Sequence, residues 1–143
     1  MAEALMRHAL AAEGPPLNQL RVASAGVFAG PGQPATDLSD KVLKKTNLNL
    51  QKHRSQPLSE NLLQESLFIF GMTQSHIDTI AAAFPEASKK LFRFREFLPE
   101  DQGREIPDPF GGDLATYKAC RDSMIEAIPS LIAFLRKNTT AAE

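Results

Sequence analysis

Ser66-Leu67-Phe68-Ile69-Phe70 is followed by Met72-Thr73-Gln74-Ser75-His76 and, further on, by Lys90-Leu91-Phe92-Arg93-Phe94. The first stretch is a continuous apolar run of strand length, the pattern of a strand covered on both faces. The last alternates and reads as a strand nearer a sheet edge. Between them Ile77, Ile80 and Phe84 are spaced for one face of a helix. Strand, helix and strand in this order imply a parallel βαβ unit with a right-handed crossover. Continued over the chain, the alternation predicts an α/β fold, a three-layer sandwich around a short parallel sheet.

Upstream, residues 1–12 read as a helix that Gly14-Pro15-Pro16 cannot continue. It has no N-cap residue ahead of it. Arg21-Val22-Ala23-Ser24-Ala25 is a β-compatible run ended by Gly26, and a Gly- and Pro-rich loop follows. Pro34 to Thr46 reads as a second helix with Leu38, Val42 and Leu43 inward and Asn47 as a left-handed terminator. Asn49 to Leu58 is polar and irregular, and Ser59 can cap a short helix carrying Leu62 and Leu63. Downstream, Asp113 can cap a last helix with Tyr117, Cys120, Met124, Ile128, Leu131 and Leu135 along one side. Pro129 inside that helix should bend it, at roughly 3 kcal/mol if uncompensated.

The 143 residues are 43% hydrophobic and 23% charged, the composition of one globular domain, expected over 1–138 with a flexible tail at 139–143. A formal net charge of -1 gives no global attraction to nucleic acid or anionic lipid. No apolar run nears the 18–20 residues of a membrane span, and no secretory signal pattern opens the chain. A cytoplasmic protein is the expectation. One cysteine excludes an internal disulfide, and the spacing of His53, Arg54 and His76 fits no zinc pattern, so no metal or cofactor is expected. Gly30-Pro31-Gly32 lacks the strand-to-helix context of a phosphate cradle. Lys41, Lys44, Lys45, Lys52 and Arg54 could touch a phosphoprotein or nucleic acid, but a solvated helix face is the preferred reading, and no nucleic-acid partner is expected.

Ile106-Pro107-Asp108-Pro109-Phe110-Gly111-Gly112-Asp113 is the most unusual loop, a carboxylate between two prolines beside an aromatic ring. Asp108 reads either as a fixed acid or as a turn aspartate, the commoner meaning of Asp before Pro. Phe110 reads either as an aromatic wall or as loop packing. Cys120 lies mid-helix on the apolar face, where a thiol is ordinarily inert.

Five stretches occur in the order of one family: Met1-Ala2-Glu3-Ala4-Leu5, Ser24-Ala25-Gly26, His53-Arg54-Ser55, Met72-Thr73 with His76, and Asp108-Pro109-Phe110-Gly111. Together they resemble the low-molecular-weight protein tyrosine phosphatases, over about the whole chain. Gly26-Val27-Phe28-Ala29 and Asp108-Pro-Phe-Gly-Gly are similar to the bacterial branch containing protein-arginine phosphatases.

The resemblance implies a flavodoxin-like fold and hydrolysis of phosphotyrosine or phosphoarginine on a protein through a phosphocysteine intermediate. It implies that Asp108 is the general acid, that Phe110 walls the substrate, and that Ser24 matches a serine hydrogen-bonded near the phosphate loop. The family opens with a strand and a C-x5-R loop followed by Ser-Pro, and Met1 takes the place of the methionine after that proline. The chain is therefore expected to be N-terminally truncated, without the first, central strand, the nucleophile or the phosphate-clamping arginine. Six residues on from Cys120 stands Glu126, so C-x5-R is not rebuilt there. The chain as given is expected to be inactive; the alternative is a pseudo-phosphatase that binds a partner through the Phe110 loop. Either residues 21–25 close onto 66–70 in a distorted three-stranded sheet, which is the expectation, or self-association supplies a strand.

Overall fold

In the computed structural model, which describes residues 1–26, 32–99 and 103–139, the βαβ reading of the central stretch holds. Strand β1 (Ile69–Gly71) pairs in parallel with β2 (Leu91–Arg93), Ile69 opposite Leu91 and Phe70 opposite Phe92. The crossover is α4 (Gln74–Ala83) with a 3-10 segment at Pro85–Lys90. Around this unit lie α1 (Ala2–Ala11), α2 (Asp37–Lys44), α3 (Glu60–Glu65) and α5 (Leu114–Asn138).

The twofold alternation of the strands sorts their side chains between two layers. Ile69 and Leu91 face one way and pack with Leu63, Ile80 and Ala87 from α3, α4 and the 3-10 segment. Phe68 and Phe70 face α5, where with Phe92 they meet Phe134 at ring-centroid distances of 5.0, 6.3 and 5.1 Å. Phe97 stacks on Phe134 at 4.3 Å. Beyond that aromatic layer, Leu5, Met6 and Leu10 of α1 pack with Cys120, Met124, Ala127, Leu131 and Leu135 of α5. Each fully buried leucine stabilises by roughly 1.5–3 kcal/mol relative to exposure. The result is the expected α/β arrangement, with helices on both sides of a short parallel sheet.

The helix caps follow the sequence closely. Thr36, Ser59, Thr73 and Asp113 each accept a hydrogen bond from a backbone N–H in the first turn of the helix that follows. Helix α1 has Met1 at its N-cap and no side-chain cap. Asn47 has φ 63°, the left-handed terminator expected after α2. Pro129 lies within α5, which stays helical for 25 residues. Among the described residues no helix is long and apolar enough to cross a membrane.

Three expectations need correction. Residues 21–25 form no strand and do not pair with 66–70; among the described residues the sheet has two strands, not three. Their acceptors are taken by side chains instead: Arg7 donates to Val22 O at 2.9 Å and Gln56 to Ser24 O at 2.8 Å. The apolar run at 66–70 is extended in the sheet only from Ile69, and Leu67 is 62% exposed. The short partner strand explains this, since β2 offers three residues, while Lys90 Nζ donates to Ser66 O at 2.7 Å. Helix α2 starts at Asp37 rather than Pro34, because Thr36 is extended and caps it and Pro34 is bridged to Arg54. At the first residue of the expected tail, Thr139 N–H donates to Leu135 O at 2.8 Å and ends α5. The remainder of the expected tail, 140–143, and the expectations for Val27–Ala29, Gly30 and Pro31 lie outside the described residues.

Candidate functional site

The Asp108 loop is fixed mainly by its own residues. Ile106 is buried, and its N–H donates to Met72 O at 2.8 Å, which pins the loop to the carboxyl end of β1. Ligands of open α/β sheets bind at that end. Asp108 Oδ1 accepts from Phe110 N–H at 3.0 Å, and Gly112 N–H donates to Pro109 O at 2.8 Å. Gly111 has φ 84°, where an L side chain is strained. At Gly112 a Cβ would stand 2.9 Å from Pro109 O and from the Thr116 side chain, so only glycine fits this approach. Asp113 then accepts from both the N–H and the hydroxyl of Thr116 at 2.9 Å. Those bonds hold the Asp113 carboxyl below its ordinary pKa. Just upstream, Glu105 accepts from Gln74 N–H at 2.7 Å, tying the loop to the N-terminus of α4.

Asp108 is exposed at the surface of this loop, and Phe110 is 77% exposed, so its ring is not consumed by packing. Behind them Tyr117 is buried, and Thr36 Oγ1 donates to its hydroxyl at 3.4 Å. Cys120 is 7% exposed on the inner side of α5. Burial pushes its thiol up; the Asp108 carboxylate pushes the same way, and the Met1 amino group opposes. That direction leaves the protonated thiol, the poorer nucleophile, dominant.

A second cluster gathers three of the motif stretches on one carboxylate. Ser24 Oγ donates to Glu3 Oε1 at 2.8 Å, and Arg7 donates to Glu3 Oε2 at 2.8 Å. His53 Nδ1 lies 3.9 Å from the same Oε2. Burial pushes the Glu3 carboxyl up, but the hydrogen bonds from Ser24 and Arg7 and the charges of Arg7 and His53 outweigh it, and its pKa is lowered. Ser24 therefore holds α1 to the segment after it. His76 Nδ1 accepts from Met72 N–H at 3.3 Å, and Arg54 Nη1 donates to Gln51 O and His53 O, structural bonds in each case. Among the described residues no group of three metal-ligating side chains converges.

Sequence reading missed Arg95, which is only 4% exposed. Its guanidinium donates to Gly103 O at 2.8 Å, to Ser123 O at 2.9 Å and to Glu126 Oε1 at 2.8 Å. It joins the end of β2, the start of the Asp108 loop and α5. The alternating stretch read from the sequence ends at Phe94, and no local signal marks Ser123 and Glu126, 28 and 31 positions further on.

Residues 1–141 match the family described as low molecular weight phosphotyrosine protein phosphatase. The protein-arginine-phosphatase of Bacillus subtilis (strain 168) is 36% identical over 138 residues, covering 96% of this chain and 89% of that protein. The low molecular weight protein-tyrosine-phosphatase Wzb of Salmonella typhi is 33% identical over 113 residues, 79% of this chain and 68% of its own. Among solved structures, the YwlE arginine phosphatase of Geobacillus stearothermophilus superposes with a TM-score of 0.83 at 34% identity, covering 96% of this chain and 84% of that one. With the loop, the capped helices and the parallel sheet in their expected order, the chain belongs to the low molecular weight phosphotyrosine protein phosphatase family, whose members are cysteine-dependent protein phosphatases.

Proposed function

We propose that this chain carries the acid half of a phosphatase site. In this reading Asp108 protonates the leaving group and Phe110 walls the substrate, a protein bearing phosphotyrosine or phosphoarginine. Ser24 supports the site indirectly, through Glu3. The observation that carries the proposal is the contrast between an exposed Asp108 in a loop held by Gly112 and Asp113, and a sole cysteine that is buried. Family chemistry needs a thiolate at a helix N-terminus and a bidentate arginine. Cys120 is mid-helix with its thiol pushed up, and no arginine stands six residues beyond it. The 143 residues by themselves therefore do not turn over phosphate esters. An aryl phosphate assay tests this: no turnover is expected, whereas turnover lost in Asp108→Asn but kept in Cys120→Ser would overturn it.

The exposure of Phe110 favours a second reading, a non-catalytic module that recognises a phosphoprotein through this loop. In either reading the chain is one domain over 1–138, acts in the cytoplasm, and uses neither cofactor nor metal. Self-association through the open side of β1 is also proposed, since β1 pairs only with β2 among the described residues. Sedimentation across a concentration series should show a growing dimer, and a monomer throughout would end that part of the proposal.

A further inference from the structure

The peptide between Gly71 and Met72, where the chain leaves β1, is held from both sides, and on one side the partner is a side chain. Gly71 O accepts from Phe94 N–H at 2.8 Å, at the end of the pairing with β2. Across the same peptide, Met72 N–H donates to His76 Nδ1 at 3.3 Å. Among the described residues no third strand lies beside β1, so the imidazole stands where a neighbouring strand would offer a carbonyl. A neutral imidazole has one nitrogen free to accept, and here that nitrogen is Nδ1. The next carbonyl along, Met72 O, accepts from Ile106 N–H at 2.8 Å, two residues ahead of Asp108.

Helix α4 brings the ring to this place. Thr73 Oγ1 accepts from His76 N–H at 3.3 Å, and this cap fixes the backbone that carries the ring. Gly71 leaves room for the approach, since a Cβ there would stand 3.2 Å from His76 Cβ and 3.0 Å from Ile77 Cδ1. The same first turn also reaches the loop directly, through Gln74 N–H to Glu105 Oε2 at 2.7 Å.

A histidine that merely satisfies a nearby N–H is the plainer account of the ring. That account stops at Met72. The contacts continue from the ring to the Gly71–Met72 peptide, to Met72 O and to Ile106. Two adjacent loop residues, Glu105 and Ile106, are therefore gripped by the turn to which His76 belongs, one directly and one through β1.

We propose that His76 is a positioning residue for Asp108: by accepting from Met72 N–H it sets the peptide whose following carbonyl anchors the loop at Ile106. The assignment rests on the acid role proposed for Asp108. Its test reads anchoring and not turnover, so either reading can fail while the other stands.

Amide hydrogen exchange of the 143-residue chain, followed residue by residue by NMR, tests it. In His76→Leu the Ile106 amide should exchange about tenfold faster, because its acceptor loses its support. The Leu131 amide, inside α5 and buried, should keep its rate, as should the Gly112 amide, which is bonded within the loop. A contribution to overall stability alone would speed Ile106 and Leu131 together. His76→Asn keeps an acceptor attached to Cγ, where Nδ1 is attached, and should return Ile106 to within about twofold of the parent rate. Should His76→Leu fail to fold, His76→Gln, whose acceptor lies one carbon further out, takes its place against His76→Asn. An unchanged Ile106 rate, equal acceleration at Leu131, or no rescue by His76→Asn would each overturn the proposal.

Discussion

The loop at 106–113 and the extended segment at 21–26 are both irregular, both carry motif residues, and are held in opposite ways. In the loop nearly every constraint spans two to four positions: Asp108 to Phe110, Pro109 to Gly112, Asp113 to Thr116. In the segment the constraints come from far along the chain, Arg7 to Val22, Glu3 to Ser24, and Gln56 to Ser24. Irregular backbone must find partners by one route or the other. A locally wired loop should keep its shape when distant elements change and fail when a single one of its own residues is altered. A remotely wired segment should behave the other way round.

The largest expected effect tests whether the local wiring serves chemistry. Joining a strand and a C-x5-R-Ser-Pro segment ahead of Met1 should confer turnover of an aryl phosphate. In that protein Asp108→Asn should lower kcat by about 10²–10⁴-fold, the usual contribution of a general acid. An unchanged kcat would reduce Asp108 to the turn residue that its bond to Phe110 N–H already makes it.

Next in size is Gly112→Ala. The added methyl would meet Pro109 O and Thr116 at 2.9 Å, and backbone on one side cannot move aside as a flexible side chain can. A cost of about 1–3 kcal/mol is expected in urea unfolding. A neutral result would mean that the loop can relax and that its wiring is looser than the comparison requires.

The remote wiring is tested by Glu3→Gln, which weakens the bonds to Arg7 and Ser24 together and should cost about 1–2 kcal/mol near neutral pH. Its pH dependence has a definite sign. The Glu3 carboxyl is held below its ordinary value of 4.5 in the folded chain. Its contribution is thus present in full above that value and is lost as pH falls through the lower folded pKa. Glu3→Gln should show a flatter acid limb below about pH 5, with the difference from the parent chain shrinking as pH drops. A difference that grew with acidity would remove Glu3 as the tie.

The same contrast explains what was legible in the sequence. Caps at Thr36, Ser59, Thr73 and Asp113 are rules of three or four residues, and Ser59 and Asp113 could be read directly. The βαβ unit was legible because periodicity carries it. Residues 21–25 misled because β-propensity describes a chain that has a partner strand, and here the acceptors go to Arg7 and Gln56. Arg95 was invisible because its burial depends on Gly103, Ser123 and Glu126, which only the fold brings together. At the candidate site the motif gave Asp108, Phe110 and Ser24 by resemblance, but not that Ser24 would be spent on Glu3.

The smallest expected effect on stability is also the most discriminating for the loop. Phe110 is 77% exposed and makes no ring contact with another aromatic among the described residues, so Phe110→Ala should change unfolding by no more than about 0.5 kcal/mol. A ring left in water at the tip of a loop held by Ile106, Gly112 and Asp113 is available to something outside the chain. Binding of phosphotyrosine and phosphoarginine peptides to the parent chain and to Phe110→Ala, read by calorimetry, separates the alternatives. Affinity lost with stability kept assigns the ring to recognition, and a difference between the two peptides shows which phosphorylated side chain it fits. Equal binding by both proteins would leave the loop wired for shape alone.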